Sequence, residues 1–562
     1  MGKFLVTPNR SGIRVEEERG SDQSITRSGT ARAAFVGRTL RGPVNQPVLL
    51  TSFAEFQHIF GGLWQPSPLG YAIEHFFDNG GCEAFVVRVV NGACAATLTL
   101  NAGAQFLSLR AVRPGTREFL RASVDYDNIA AAATTEFNLV VQRVRMHGTA
   151  QVEDQEIFPR LSILPEAERY VCDVLASSEL IQIVGTPSTE RPDQTLDAGS
   201  GLPTGYVCSN TDGDDGAPLT DYDLIGSAVD QTGVFALDSV EYFNLLCIPP
   251  LSRDQDVGPS VMLVAARYCK DRRALLVVDP PAEWHTAEDA LQGMRHWNFS
   301  SENAVMYFPR ILAHDKLRGH FESFAPCGAV AGMLARSDET SPVWGPMKAG
   351  DAILRPGYRP SCLVTEDKRM RLAALGVNTI QAVRSAARIG VQPRTLAAGT
   401  AGAADWQSLA ARRLALFILN SLERGTRWVV LTRPRAQVAE LAMAQVQEFF
   451  ERLYASGAFG ARALEESFFV ICDKRVNPSE GTAANSFQIV VGFAAVRRGE
   501  FHSFRISHSA AGSKVTPVSL NRLNTIEYSP ADLVWVDALA NQLGDPRLLA
   551  ALRTEPSPPS RT

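Results

Sequence analysis

The sequence predicts a multidomain protein of mixed α/β and α+β class, and three observations carry that prediction. The chain has 562 residues, more than one hydrophobic core organises, so three or four domains are expected. From 244 to 309, continuous apolar runs alternate with helical stretches, the pattern of a parallel sheet covered on both faces. From about 93 to 185, alternating runs follow one another with few helix signals, the pattern of a separate β module.

Composition narrows the function. Hydrophobic residues make up 45% and charged residues 20% of the chain, an ordinary globular balance. The net charge of −5, from 55 basic and 60 acidic residues, argues against a dedicated nucleic-acid binder. No apolar run reaches the length of a membrane span, and MGKFLVTPNRSG lacks the apolar core of a secretory signal. The nine cysteines stand singly, without a CxxC pair. They are expected to be reduced, buried small hydrophobes in a cytoplasmic product, with no zinc site.

Residues 1–24 read as an arm. In SGIRVEEERG, Ile13 and Val15 alternate with Arg14 and Glu16, as in a half-buried strand. The polar run Gly20–Ser24 follows with no tight turn. A lone strand does not stand in water, so this one needs a partner.

Residues 25–92 read as a compact α/β part. Strands AAFVG (33–37) and PVLLT (47–51) precede a helix capped by Ser52, with Phe53, Phe56 and Phe60 on one face. Ser67-Pro68 opens a second helix with the stripe Ala72, Ile73, Phe76 and Phe77. AFVVRVV (84–90) is the next strand.

The β module, 93–185, contains ATLTLNAG, FLSLRAV, LRASVDY and FNLVVQRV, and reads as a small sandwich. In 186–368 come strands NLLCIPP, ALLVVDPP and NAVMYFP, with helices near 259–271 and 286–297. In 369–508, Asp405 is read as the cap of a helix closed by Gly425, and WVVL (428–431) as a strand. A long helix over 436–456 and strands FFVICD, SFQIVVGF and EFHSFRIS complete this region. Residues 509–562 read as an extension, weakly amphipathic from about 530 to 552 through Val534, Trp535, Leu539, Leu543, Leu548 and Leu549.

Catalytic signals are sparse. GxGxxG, GxxxxGK[ST], GxSxG and HExxH are all missing. Ligands of parallel sheets sit beyond the carboxyl ends of the strands, where Asp279 and Arg310 stand among prolines. These two read as a strand-end ion pair. The acidic run Asn210–Gly216 lacks the ligand spacing of a calcium loop and reads as a solvated turn. His75 reads as a helix-surface or core-edge residue, and the arginines around 424–435 as a solvated patch. No catalytic residue, cofactor or metal ligand is assigned.

The ordered segments SGIRVEE, AAFVGRTLRGPVNQPVLLTSFAEFQHIFGG, LGYAIEHFFDNGGCEAFVVRVV, NLLCIPP, ALLVVDPP, CGAVAGMLARSDETSPVWGPMKAG, FFVICDKRVNP and VVGFAAVRRGEFHSFRIS together resemble the tail sheath proteins of contractile phage tails and bacterial contractile injection systems. The resemblance runs over roughly the first 508 residues. It implies a subtilisin-like α/β middle domain serving as scaffold, an inserted β-sandwich-like domain, and an α+β base domain with exchanged terminal strands. Its functional implication is a structural subunit, not an enzyme, that polymerises helically around an inner tube and contracts to drive the tube through a target envelope. The implied partners are further copies in stacked hexameric rings, the inner tube protein, and baseplate and terminator or cap proteins. No nucleic acid, membrane insertion or cofactor is implied. Assembly would take place in a bacterial cytoplasm, the product being a phage tail or injection particle.

In that reading Ile13 and Val15 form the donated N-terminal pair, and Phe504 and Ile506, with Phe501 on the other face, form the C-terminal one. Phe487, Ile489, Val491 and Phe493 belong to the receiving sheet. Two departures stand out: Ser11-Gly12 replaces the usual Pro-Gly, and the chain continues past His508 to Thr562. A reading of another class is a soluble α/β hydrolase or ligand-binding enzyme with an accessory β domain. It requires a deep pocket at Asp279 and Arg310 with perturbed titration.

Overall fold

The computed structural model describes residues 24–115, 119–147, 149–196, 201, 205–383, 386–390, 392–397, 404–430, 435–460, 463–473, 476–477, 486–495 and 501–518. The chain divides into two compact units, one of residues 29–417 and one drawing on 1–28 and 418–562.

The larger unit begins with β1 (Ala33–Gly37), β2 (Val48–Leu50), α1 (Phe53–Phe60), α2 (Leu69–Asp78) and β3 (Ala84–Arg88). Ser52 caps α1 as read, accepting from Glu55 N, and Phe53, Phe56 and Phe60 stack in series along the helix. Ser67 Oγ accepts from Leu69 N at the start of α2 while donating to Arg38 O.

The β insertion holds two antiparallel sheets around one core. One comprises β4 (Thr97–Ala102), β5 (Gln105–Ala111) and β9 (Ile181–Ile183). The other runs β10-β6-β7-β8, from β6 (Phe119–Asp125), β7 (Glu136–His147), β8 (Thr149–Ser162) and β10 (Val207–Cys208). Leu98, Leu107, Leu120, Leu139 and Leu161 meet between them, near the short helix α3 (Val171–Leu175). The segment 211–216 keeps Thr211, Asp212 and Asp214 exposed, as a solvated turn does, but its backbone is also paired. It forms bridges Cys94↔Asp214, Thr97↔Thr211 and Asn91↔Gly216, because its backbone amides and carbonyls satisfy those at the root of β4.

After α4 (Asp221–Ile225) the chain returns to the α/β sheet with β11 (Leu245–Cys247), α5 (Pro259–Arg272), β12 (Leu275–Val278), α6 (Ala287–His296) and β13 (Ala304–Phe308). The hairpin β14 (Ile311–Asp315) and β15 (His320–Phe324), α7 (Cys327–Thr340), β16 (Arg359–Pro360), α8 (Glu366–Ala374), β17 (Val377–Val383) and β18 (Ala386–Ile389) follow. The eight-stranded order is β18-β17-β13-β12-β11-β1-β3-β2. Its six inner strands are parallel, and β2 and β18 are antiparallel edges. Apolar clusters cover both faces, which is why these strands read as continuous hydrophobic runs.

His75 departs from its expected place. It is 3% exposed, packed edge-on against Phe324 and Tyr358 with ring centroids 5.1 Å away. The polar label hid a core position, since α2 is buried on nearly every side between β1 and α7. The cysteines also divide: Cys247, Cys269, Cys327 and Cys472 are buried, whereas Cys82, Cys94 and Cys208 are exposed.

Asp405 lies in a short 3-10 turn, 404–406, and Ser408 caps α9 (Leu409–Gly425) instead, accepting from Ala411 N at 3.4 Å. A hydroxyl one residue before the helix reaches the free amides of its first turn, and a carboxylate three residues earlier does not.

The second unit takes the end of α9, α10 (Arg435–Ala455), and a four-stranded antiparallel sheet ordered β19-β20-β21-β22. Its strands are β19 (Phe468–Ile471), β20 (Ser486–Phe493), β21 (His502–Ser509) and β22 (Gly512–Val518). Of WVVL (428–431), read as a strand, Trp428–Val430 lie in a 3-10 turn over Arg427–Val430, and residue 431 is outside the described residues. The chain leaves α9 still hydrogen-bonded in helical fashion, Thr426 N donating to Leu422 O and Val429 N to Thr426 O. Among the described residues no helix is long and apolar enough to cross a membrane.

Candidate interface strands

The terminal sheet is built on the alternation of β20. Phe487, Ile489, Val491 and Phe493 are at most 4% exposed. They face His508, Ile506, Phe504 and His502 of β21 in antiparallel register. On this face Phe493 stacks on Phe504, centroids 5.7 Å apart, and lies 6.2 Å from Phe450 of α10, which stacks on Phe468 at 4.8 Å. Aromatic pairs across strands and onto the covering helix contribute beyond their buried area.

The opposite face is also filled. Val490 packs with Ile471 and Val476. Phe501 meets Phe469 edge-on at 5.4 Å, and the Phe469 ring lies over Gly492, where a Cβ would stand 2.1 Å from it. Only glycine admits that ring. Burial pushes the neighbouring Cys472 thiol up to about 12, the marker of a packing residue.

β21 is therefore an inner strand, bonded to β20 on one side and to β22 on the other within the same chain. The sequence reading ended the sheet at β21. β22 extends it with Pro517 in an edge position, where the missing amide costs no ladder bond. Among the described residues the edges of this sheet are β19 and β22.

Ile13 and Val15 lie outside the described residues. The end of their arm is tied down by contacts that sequence reasoning missed. Ile25 is 2% exposed, and its carbonyl accepts from Arg452 of α10. Ser28 N donates to Ser421 Oγ at 3.0 Å, and Arg27 reaches Ser456 Oγ. The available signal was a single apolar Ile in a polar run, opposite a glycine on α9.

At the strand exits of the larger unit, Asp279 and Arg310 do not pair with one another. Arg310 donates to Pro280 O and is paired with Asp256. Asp279 Oδ1 accepts from Cys327 N, the first residue of α7, at 2.8 Å. Burial raises the Asp279 carboxyl to about 6, against the opposing pull of that amide and of Arg310.

The sequence matches no family model and no curated protein. Solved structures share its fold. A sheath tail protein of Listeria innocua is 12% identical, with 87% of this chain and 97% of that one covered, at a TM-score of 0.57. A sheath tail protein of Desulfitobacterium hafniense is 11% identical, with 89% and 100% covered, at 0.51. The sheath complex of an extracellular contractile injection system, solved in the contracted state, is 14% identical, with 88% and 97% covered, at 0.50.

Proposed function

We propose that this chain is a structural sheath subunit that polymerises helically around an inner tube and contracts to drive it through a target envelope. One observation carries the reading: the fold shared with the sheath tail protein of Listeria innocua extends over 87% of this chain and 97% of that protein. A coverage this complete leaves little of the molecule for another task.

In this reading the region 186–368 is a subtilisin-like scaffold and the insertion an outer domain. Residues 1–20 are a donated strand, with Ile13 and Val15 filling positions against a neighbour's sheet. The exposed edge of β22, seven residues long, is the receiving edge that its backbone suits best. Each ladder bond nets about 0.5–1.5 kcal/mol, so one arm is weak and a lattice of arms is strong. Head-to-tail donation of this kind builds rings where its rotation closes and an open helix where it does not. Stacked hexameric rings, an inner tube, a baseplate and a terminal cap are the partners such a subunit requires. The setting is a phage tail or injection particle assembled in a bacterial cytoplasm.

Negative-stain microscopy of the purified chain tests the reading. Hollow tubes are expected, and a uniform population of discrete particles at high concentration would refute it.

A further inference from the structure

The carboxyl ends of β11 and β12 border a cavity of about 160 Å³. That end of a parallel sheet is where ligands of α/β folds bind, often as anions held by the free amides of the following helix. The chemistry here is the reverse. α5 begins at Pro259, which has no amide hydrogen, and the amide of Gly258 before it already donates to Asp221 Oδ1 at 3.0 Å. The walls are apolar: Ile248 beyond β11, Leu276 and Val278 of β12, and Val261 and Ala265 of α5, each at most 7% exposed.

The polar side chains among the lining residues offer a guest nothing. Both oxygens of Asp256 are taken, one by Arg310 and the other by Ala282 N. Asp279 Oδ1 accepts from Cys327 N. Asp279 Oδ2 and Trp297 Nε1 have no surface open to a water-sized molecule, so no guest reaches them. A ligand with a charge or a hydrogen-bonding group would shed its water here and gain no partner in return. An apolar ligand gives up nothing, and an apolar cavity of roughly 150 Å³ admits benzene.

We propose that this cavity binds a neutral, apolar molecule of about the size of benzene, one that presents only carbon and hydrogen to the wall. The inference is independent of tube formation.

Benzene is the probe, with phenol adding one hydroxyl and benzylamine, cationic near neutral pH, adding a charge. Calorimetric titration of the full chain should show benzene binding, phenol binding at least about tenfold more weakly because its hydroxyl finds no partner, and benzylamine not binding. Benzene should also raise the thermal midpoint, since it binds the folded state alone. Ala265→Leu and Val261→Phe each fill the cavity from α5. Whichever of them keeps the circular dichroism spectrum of the unaltered chain should lose both the binding heat and the midpoint shift. The order of the three probes on the unaltered chain decides the matter even where neither variant folds. No benzene binding at millimolar concentration, phenol or benzylamine binding as tightly as benzene, or undiminished binding by a folded variant would each overturn the proposal.

Discussion

Ile25, at the root of the N-terminal arm, occupies the space that a side chain on Gly425 would need: a Cβ there would lie 2.6 Å from Ile25 Cγ2. Gly425 closes α9 less as a conformational stop than as an opening for this contact. Gly425→Ala gains helix propensity of about 1 kcal/mol but forces an overpacked contact that costs about 1–3 kcal/mol. Chemical denaturation should show a net loss for Gly425→Ala, and Ile25→Ala in that background should cost less than the roughly 2–4 kcal/mol it costs alone. Strict additivity of the two would show that they do not share a site.

Phe450 binds the covering helix to the terminal sheet through Phe468 and Phe493. Phe450→Ala should therefore cost about 3–5 kcal/mol, read as a lower midpoint in thermal unfolding. A loss below about 1 kcal/mol, typical of a surface substitution, would remove α10 from the core of that unit.

β22 is part of the sheet, not of a tail, and truncations separate the two. Ending the chain after Val518 keeps all four strands, whereas ending it after Ser509 strips β21 of its partner from Ser503 to Ser509. The shorter product should unfold at a clearly lower temperature than the longer one. Identical midpoints would mean that β22 contributes nothing to the fold.

Two buried groups give stability opposite pH dependences. Burial, with Lys316 nearby, holds His75 down to about 3. In acid the unfolded chain takes up a proton that the folded one refuses, so stability falls as pH drops from about 6.5 toward 3. Asp279 is raised to about 6, so its contribution is present below about 4 and is lost as pH climbs to 6, by on the order of 3 kcal/mol. Unfolding free energies at several pH values should show His75→Phe flattening the acid limb and Asp279→Asn removing the loss of stability that Asp279 imposes between 4 and 6. Parallel curves for wild type and either variant would refute that assignment.

The parallel strands were legible because both of their faces are buried, which leaves nearly unbroken apolar runs such as LLVV and AVMYF. SFQIVVGF was legible over its full length by its alternation and β-branched content. β8 and β22 were not. They are edge strands carrying Glu153, Asp154 and Glu156, or Lys514 and Pro517, residues that protect an edge and erase the pattern that would announce it. WVVL failed for the reason that short apolar runs fail in general: four residues do not distinguish a strand from a helical turn. The buried alternation from Phe487 to Phe493 was legible by periodicity. Ile25 was not, since a lone contact across 400 residues of sequence leaves no local trace.

The most direct test of the central claim is removal of residues 1–20 followed by sedimentation and electron microscopy. The account expects folded, soluble subunits with an unchanged unfolding midpoint that no longer form tubes. Tubes of normal length and number from the shortened chain would contradict it.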